Sequence, residues 1–394
     1  MPETVAILSF SRIARDQRVL RQCDLAAEMG LMPTIIGYAA PGESIGHNFA
    51  VWPLPEPTLG HRLGTLARQL PAHISPRLAM AGFWSSPRHR WALQQLRNVR
   101  PRLVIANDWP ALVVAARWKA ECGGLVHYDS HEFATHEFDE RMWWRVVYKP
   151  FVVHLEKAAI GAADSVSTIS LGLAEELRRH YALDMLPTVI RSIPNRVALP
   201  PLSETSWPLR LLFHGQVLPG RGLESLIDSV PHWQSAHRLT IRGDGSPTYL
   251  EDLRRRAARV SANGQVMFEP AVPPEEVIPA AARSADVGVF FTPLRTVQHQ
   301  FTLPNKLFEY IAAGLAVAVS PGADLKALVA DYGIGVVSAD PTPKGIAAAI
   351  NKLTPETVSG FRLKARDAAQ VLCWEQERNR LRICLETLLA RASA

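Results

Sequence analysis

LRLLFHGQVLPGRGLESL, residues 209–226, runs from an apolar stretch through a glycine-rich turn into a helical pattern. LRLLFH reads as a strand covered on both faces, because its apolar residues do not simply alternate with polar ones. In the turn, Gly215 and Gly220 let backbone N–H groups approach an anion. The helix start favours negative charge, and Arg221 adds a forked cation. An ordinary strand-to-helix turn has the same outline, so this stretch specifies a β–α unit before it specifies a site.

Working outward, the same alternation continues. Strands fit at 237–242, 265–268, 286–291, 315–319 and 334–337, and helices at 222–235, 247–262, 274–284, 304–313, 324–331 and 343–353. The last forty residues read as helical. Before residue 209, VAILSF (5–10), PTIIGY (33–38), RLVIAND (102–108) and GLVHYDS (124–130) read as buried parallel strands, with two more at 165–170 and 188–193. Helical patterns occupy 16–29, 110–121 and 142–163, and Gly30 stands where the first of these needs a C-terminal cap. The proline-rich IPNRVALPPLSETSWPLR (193–210) has neither period and reads as a linker. A chain of 394 residues exceeds what one core normally supports. The expectation is an α/β protein with two Rossmann-like, doubly wound parallel sheets facing a cleft. The domains would be 1–195 and 209–374, the linker 196–208, and helix 375–394 would return to the first domain.

Composition narrows the function classes. The four cysteines are dispersed without metal-binding spacing, which suits buried apolar roles in a reducing compartment. MPETVAILSF lacks the basic start and apolar core of a secretory signal, and no run is long enough to span a bilayer. A cytoplasmic location is therefore expected. Residues 1–115 hold twelve arginines, no lysine and seven acids. Within 61–102, arginines interleave with leucines, Phe83, Trp84 and Trp91. That segment suits either peripheral contact with an anionic membrane or helices with solvated arginine faces. No nucleic-acid-binding module accompanies the charge.

Ligands bind beyond the carboxyl ends of strands in such sheets, so the strand-exit loops are where chemistry is expected. RGDGSPTYL (242–250) holds Gly243 and Gly245 in a G-x-G turn, a weak fragment of a dinucleotide fingerprint. FEPAV (268–272) offers the Ala271 backbone as the edge of a nucleobase site. PLRTVQHQFTLPNKLFEYIAAGLAVAVS (293–320) carries more. Pro304 suits the first turn of a helix, the N–H groups of Thr302 and Leu303 lie just before it, and Asn305 follows. Lys306 and Glu309, three apart, share a helix face. They read either as a surface ion pair or as a cation for phosphate and a carboxylate for ribose hydroxyls. In the first half, GLVHYDSHEFATHEFDE (124–140) gathers His127, Asp129, His131, Glu132, His136 and Glu137. The spacing is not H-E-x-x-H and no cysteine is near, so substrate contact fits better than zinc.

Taken in order, these segments resemble the retaining GT-B glycosyltransferases of family 4. RIARDQRVLRQCDLAAEMG is similar to the family's opening D-x-R-V pattern, VHYDSHE to its strand-end histidine motif and SIPNRV to its P-N-G-V element. HGQVLPGRGLESLI, LTIRGDG, ADVGVFF, LPNKLFEYIAAGLAVAVS and the closing CWEQERNRLRICLETLL follow in the family's order. The resemblance implies an acceptor-binding first domain and a second domain that binds a UDP- or GDP-sugar. Arg221 and Lys306 would hold the diphosphate, Glu309 the ribose, and His131 would stand near the transferred sugar. It also implies transfer of a hexose-type sugar to a glycan, glycolipid or small molecule, without metal or other cofactor, as in polysaccharide biosynthesis. Two positions depart from the family pattern: Phe301 replaces a glutamate common eight residues before Glu309, and Gln216 replaces an arginine. A nucleotide-sugar epimerase of the same fold would need acid and base groups around the sugar and no acceptor face. A non-catalytic partner subunit is the reading that Phe301 favours.

Overall fold

Val5 to Leu8 have no exposed surface, which explains why this apolar run became an interior strand rather than an edge. In the computed structural model, which describes residues 3–40, 42–43, 46–53, 64–66, 68–260 and 264–391, these residues lie on β1 (Thr4–Arg12). The other strands of the first sheet are β2 (Met32–Ala39), β3 (Asn48–Pro53), β4 (Leu103–Asn107), β5 (Leu125–Ser130), β6 (Ser165–Thr168) and β7 (Thr188–Val189). All are parallel, in the order β3-β2-β1-β4-β5-β6-β7. Ile7 pairs with Ile35 on one side and Ile105 on the other. Helix Gln17–Glu28 begins at Asp16, whose carboxylate accepts the Val19 N–H at 3.2 Å. It ends before Gly30, whose φ of 77° needs glycine.

Three parts of this unit differ from the sequence reading. β3 is an edge strand whose residues are exposed or half-buried, although Phe49 to Trp52 are all apolar. The basic stretch forms helices Pro76–Trp84 and Pro87–Val99, which bury Phe83, Leu93 and Leu96 and leave Arg77, Arg90 and Arg97 exposed. Exposed arginines on these helices suit both readings of the segment, while residues 61–63 and 67 lie outside the described residues. The single helix expected at 142–163 is a π-helical turn, Trp144–Tyr148, followed by helix Lys149–Ala159 and a 3-10 turn.

The second sheet comprises β8 (Arg210–His214), β9 (Arg238–Arg242), β10 (Val266–Glu269), β11 (Val287–Phe290), β12 (Ala316–Val319) and β13 (Gly335–Val337). Its order is β10-β9-β8-β11-β12-β13, again parallel throughout. Alternate residues feed opposite cores: Leu211, Phe213, Val287, Val289, Ala316 and Ala318 enter one, and Leu212, Phe290, Val317 and Val319 the other. Helices Leu223–Ser229, Pro247–Val260 and Pro343–Ile350 cover the first face. Helices Val277–Ser284, Asn305–Ala312 and Ala323–Tyr332 cover the second. Each fully buried Leu, Val or Phe stabilises the fold by about 1.5–3 kcal/mol before entropy is counted.

The chain divides into two units, Met1–Ile190 with Arg378–Ala394, and Arg191–Glu377. Residues 191–209 form no helix or strand. Within the second unit they are tied to the start of helix Trp374–Arg391: Trp374 N–H donates to Pro194 O at 2.9 Å, and Arg191 N–H to the buried Glu377 carboxylate at 3.0 Å. Within the first unit, Arg378 and Arg382 of that helix donate to Glu28. No helix among the described residues is long and apolar enough to cross a membrane.

Candidate functional site

In the second unit, β8 and β11 are neighbours whose onward connections run to opposite sides of the sheet. A crevice opens at the carboxyl ends of such strands. His214 ends β8 there, and Gly215 follows with its N–H donated to Arg242 O at 3.0 Å. The turn after β9 lies directly against the turn after β8. A β-carbon on Gly243 would fall 1.8 Å from Gly215 O, and Gly245 bridges to Val217. The G-x-G glycines therefore let two backbone turns touch, a packing reason that the sequence alone did not supply. Gly222, at φ 76°, starts helix Leu223–Ser229 against Phe291 O, where a β-carbon would sit 1.8 Å away. That contact ties the 215–222 turn to the end of β11. Gly220 and Arg221 form its exposed tip.

Pro304 caps helix Asn305–Ala312 and stands just outside it, one position earlier than its sequence assignment. Leu303 is buried in the apolar core, the Thr302 hydroxyl donates to Gln298 O at 2.9 Å, and Asn305 is exposed. Lys306 reaches back over the sheet end, its Nζ 3.6 Å from the centre of the Phe213 ring and 5.7 Å from that of Phe290. Burial pulls its pKa down to about 7; Arg221 adds to the effect and Glu309 opposes it. Ala271 lies on the loop after β10, its N–H 3.4 Å from Asp244 Oδ1.

Glu309 has a partner that the sequence reading missed. Its Oε2 lies 3.0 Å from Nε2 of His214, whose ring is 4 % exposed and stacks on Tyr310 with centroids 4.6 Å apart. The Tyr310 hydroxyl accepts the His214 N–H at 3.1 Å. Neither ring nitrogen of His214 makes an aligned hydrogen bond among the described residues, despite the close carboxylate. The only sequence signal was position: a histidine at the last residue of a strand entering a glycine turn.

In the first unit, β1 and β4 form the corresponding switch point. Asp129, buried on β5, receives both Nε and Nη2 of Arg18 at 2.6 and 2.7 Å, Gln22 at 2.6 Å and the Ser167 hydroxyl at 2.7 Å. Burial opposes its charge, but Arg18 and His131 outweigh burial and hold the carboxyl well below its usual range. His131 follows the strand, with Nε2 3.1 Å from Asp129 and Nδ1 3.5 Å from Asp108. Burial works against its charge as well, yet the two carboxylates raise its pKa to about 9. Asp108 adopts φ 64°, strained for a non-glycine residue, and accepts the His131 N–H at 3.3 Å. His131 is thus a fixed cation at the strand ends.

The other two histidines of 124–140 do not join it. His127 is buried between Ser165 and Ser167, and burial lowers its pKa to about 4. His136 packs on Phe133, and no group of His, Cys, Asp and Glu among the described residues is arranged to hold a metal. Beside His131, a cavity of about 210 Å³ is lined by Ser9, Phe10, Asp108, Trp109, Glu132 and Glu137 among others. Burial, with Glu132 and Asp108 nearby, pushes the Glu137 carboxyl up to about 8. A larger cavity of about 680 Å³ is lined by Leu183, Met185, Ile383 and Cys384 among others, and by none of Asp108, Asp129 and His131.

Residues 208–355 match the family profile described as glycosyl transferases group 1. Three solved structures are similar over nearly their whole length. HepE from Anabaena, in complex with UDP and glucose, has a TM-score of 0.70 at 15% identity, covering 98% of this chain and 100% of that one. Sucrose-phosphate synthase from Thermosynechococcus elongatus has 0.73 at 16%, covering 99% and 100%. The α,α-trehalose 6-phosphate synthase from Burkholderia multivorans has 0.68 at 13%, covering 100% and 98%. No curated protein matches the sequence.

Proposed function

We propose that the chain is a glycosyltransferase, its second unit matching the group 1 profile over residues 208–355, and that it moves a hexose-type sugar from a nucleoside-diphosphate sugar to an acceptor, retaining the anomeric configuration and using no metal. The observation that carries this reading is the grouping of Lys306, Glu309 and His214 at the β8–β11 switch point, with Arg221 on the adjoining turn. Departure of a nucleoside diphosphate builds negative charge on the β-phosphate. Arg221 and Lys306 would stabilise that charge more in the transition state than in the bound donor, which is the requirement for catalysis. Glu309, 3.0 Å from His214, is assigned to the ribose hydroxyls. The backbone around Gly215, Gly243 and Ala271 is assigned to the edge of the donor site, with Thr302 and Leu303 assisting the diphosphate. In the first unit, His131 is assigned to substrate as a permanent hydrogen-bonding cation. The UDP and glucose bound by HepE favour a UDP-sugar as donor.

The test is thermal unfolding with UDP, GDP, ADP and their sugar conjugates, with and without EDTA. A ligand at a hundred times its dissociation constant adds about 2.7 kcal/mol. One nucleotide should raise Tm regardless of EDTA, and Glu309→Ala and Arg221→Ala should each abolish the shift. No shift with any nucleotide, or an undiminished shift in both variants, would overturn the assignment. Phe301 on helix Val297–Phe301 favours a second reading as a non-catalytic subunit; that reading expects nucleotide binding without sugar transfer to any acceptor.

A further inference from the structure

The segment DERMWWRVVY (139–148) has a surface composition unsuited to water alone. Met142 is 71% exposed, Trp143 54% and Val146 56%, and the arginines between and beside them, Arg141 and Arg145, are exposed as well. Isolated exposed apolar side chains are ordinary on protein surfaces. Three large ones within five residues, set among cations, are the pattern of a surface that enters a bilayer interface.

The backbone holds this arrangement in place. The π-helical turn Trp144–Tyr148 turns Trp144 inward, where its ring packs on Phe138 and Tyr148 at 5.0 and 4.5 Å. With Trp144 anchored, Trp143 next to it stays outside. A second exposed group, Leu70, Ile74 and Leu78 beside the exposed Arg77, comes from turn Leu70–His73 and helix Pro76–Trp84. Both of those elements pack against helix Lys149–Ala159, which continues directly from the π-helical turn. The acids in the segment are already engaged: Asp139 accepts from Lys149 at 2.9 Å, and Glu140 lies 3.4 Å from Arg141. With Lys149 and Arg141 paired to these acids, the remaining charge of the face is that of Arg145 and Arg77.

Beneath the face, packed aromatic rings lead to the wall of the cavity beside His131. Tyr148, stacked on Trp144, packs edge-on against Trp109 at 6.3 Å, and Trp109 lines that cavity with Asp108, Glu132 and Glu137. We propose that residues 141–146, with Leu70, Ile74, Arg77 and Leu78, dock the first unit on an anionic bilayer. The acceptor is then a lipid-linked glycan whose polar headgroup enters the cavity. The assignment rests on the first unit being the acceptor-binding unit.

The test uses the full chain in flotation with phosphatidylcholine vesicles, with and without phosphatidylglycerol. The protein should float with the anionic vesicles only. The triple variant Met142→Ser/Trp143→Ser/Val146→Ser should stay at the bottom, and Arg77→Gln/Arg145→Gln should lose roughly fivefold in partitioning per arginine removed. Both variants should keep wild-type circular dichroism and the nucleotide-induced thermal shift, because none of these positions belongs to the donor site. Wild type that fails to float, or a triple variant that floats equally well, overturns the docking surface. A change of oligomeric state in the triple variant without vesicle binding by wild type overturns it in favour of a protein partner. Equal turnover on a lipid-linked acceptor and its water-soluble headgroup overturns the acceptor assignment. Failure of the donor reading shows separately, as absence of any nucleotide-induced shift in wild type.

Discussion

Replacing His131 by asparagine removes a cation clamped between two carboxylates, and the loss should depend on pH. Burial disfavours the imidazolium, but Asp108 at 3.5 Å and Asp129 at 3.1 Å outweigh that cost and raise its pKa from 6.5 to about 9. At about 1.36 kcal/mol per pKa unit, the charged ring contributes roughly 3 kcal/mol to the folded first unit. The folded-state value lies above the unfolded one, so the contribution is fully present below about pH 6.5 and is lost as pH rises through about 9. The stability gap between wild type and His131→Asn should therefore shrink by roughly 3 kcal/mol between about pH 6 and pH 9.5. The direct assay is NMR titration of the histidine Cε1 protons, with His131→Asn identifying the resonance and Asp108→Asn as the control that lowers its midpoint. A midpoint below about 7 in wild type would refute the clamp and, with it, a permanently charged His131.

Other consequences follow from the same geometry. Arg18→Met leaves Asp129 buried without its bidentate partner and should cost about 3–5 kcal/mol in urea unfolding of the first unit, with Arg18→Met/Asp129→Leu recovering most of it; a loss under about 1 kcal/mol would contradict the pair's role. Lys306 titrates near neutrality, and an arriving diphosphate should raise its pKa, so donor binding near pH 7 should take up roughly half a proton. Calorimetry in buffers of different ionisation enthalpy reads that uptake, and proton release would count against the assignment. Gly243→Ala places a β-carbon 1.8 Å from Gly215 O and should separate the two turns and abolish the nucleotide-induced shift, whereas Gly161→Ala, with open space around it, should be neutral. His214→Phe keeps an aromatic ring on Tyr310 but removes the nitrogen facing Glu309. It should raise the donor KM, and an unchanged KM would make the contact incidental.

Much of the architecture was legible because burial leaves a local trace. Runs such as Leu103–Asn107 and Val287–Phe290 are buried along their whole length, and only a parallel strand with both faces covered requires so continuous an apolar stretch. The helix at Gln17–Glu28 showed its ends through Asp16 and Gly30, and Lys306 and Glu309 shared a face by spacing alone. Edge strand β3 escaped the reading although Phe49 to Trp52 are apolar, because its burial is not continuous along the strand, whereas the start of helix Lys149–Ala159 was marked in the sequence by Pro150 in its first turn.

The sequence by itself therefore determined which fully covered segments are strands, where most helices run, which loops carry polar groups at strand exits, and that two doubly wound sheets form. Only the tertiary structure decided which of those groups meet. Arg18 finds Asp129 across 111 residues, His214 faces Glu309, and the glycines of the second turn close against the first because the crossover connections bring particular strand ends side by side. Periodicity records whether a side chain is buried. The strand order of the folded sheet determines which groups it is buried against.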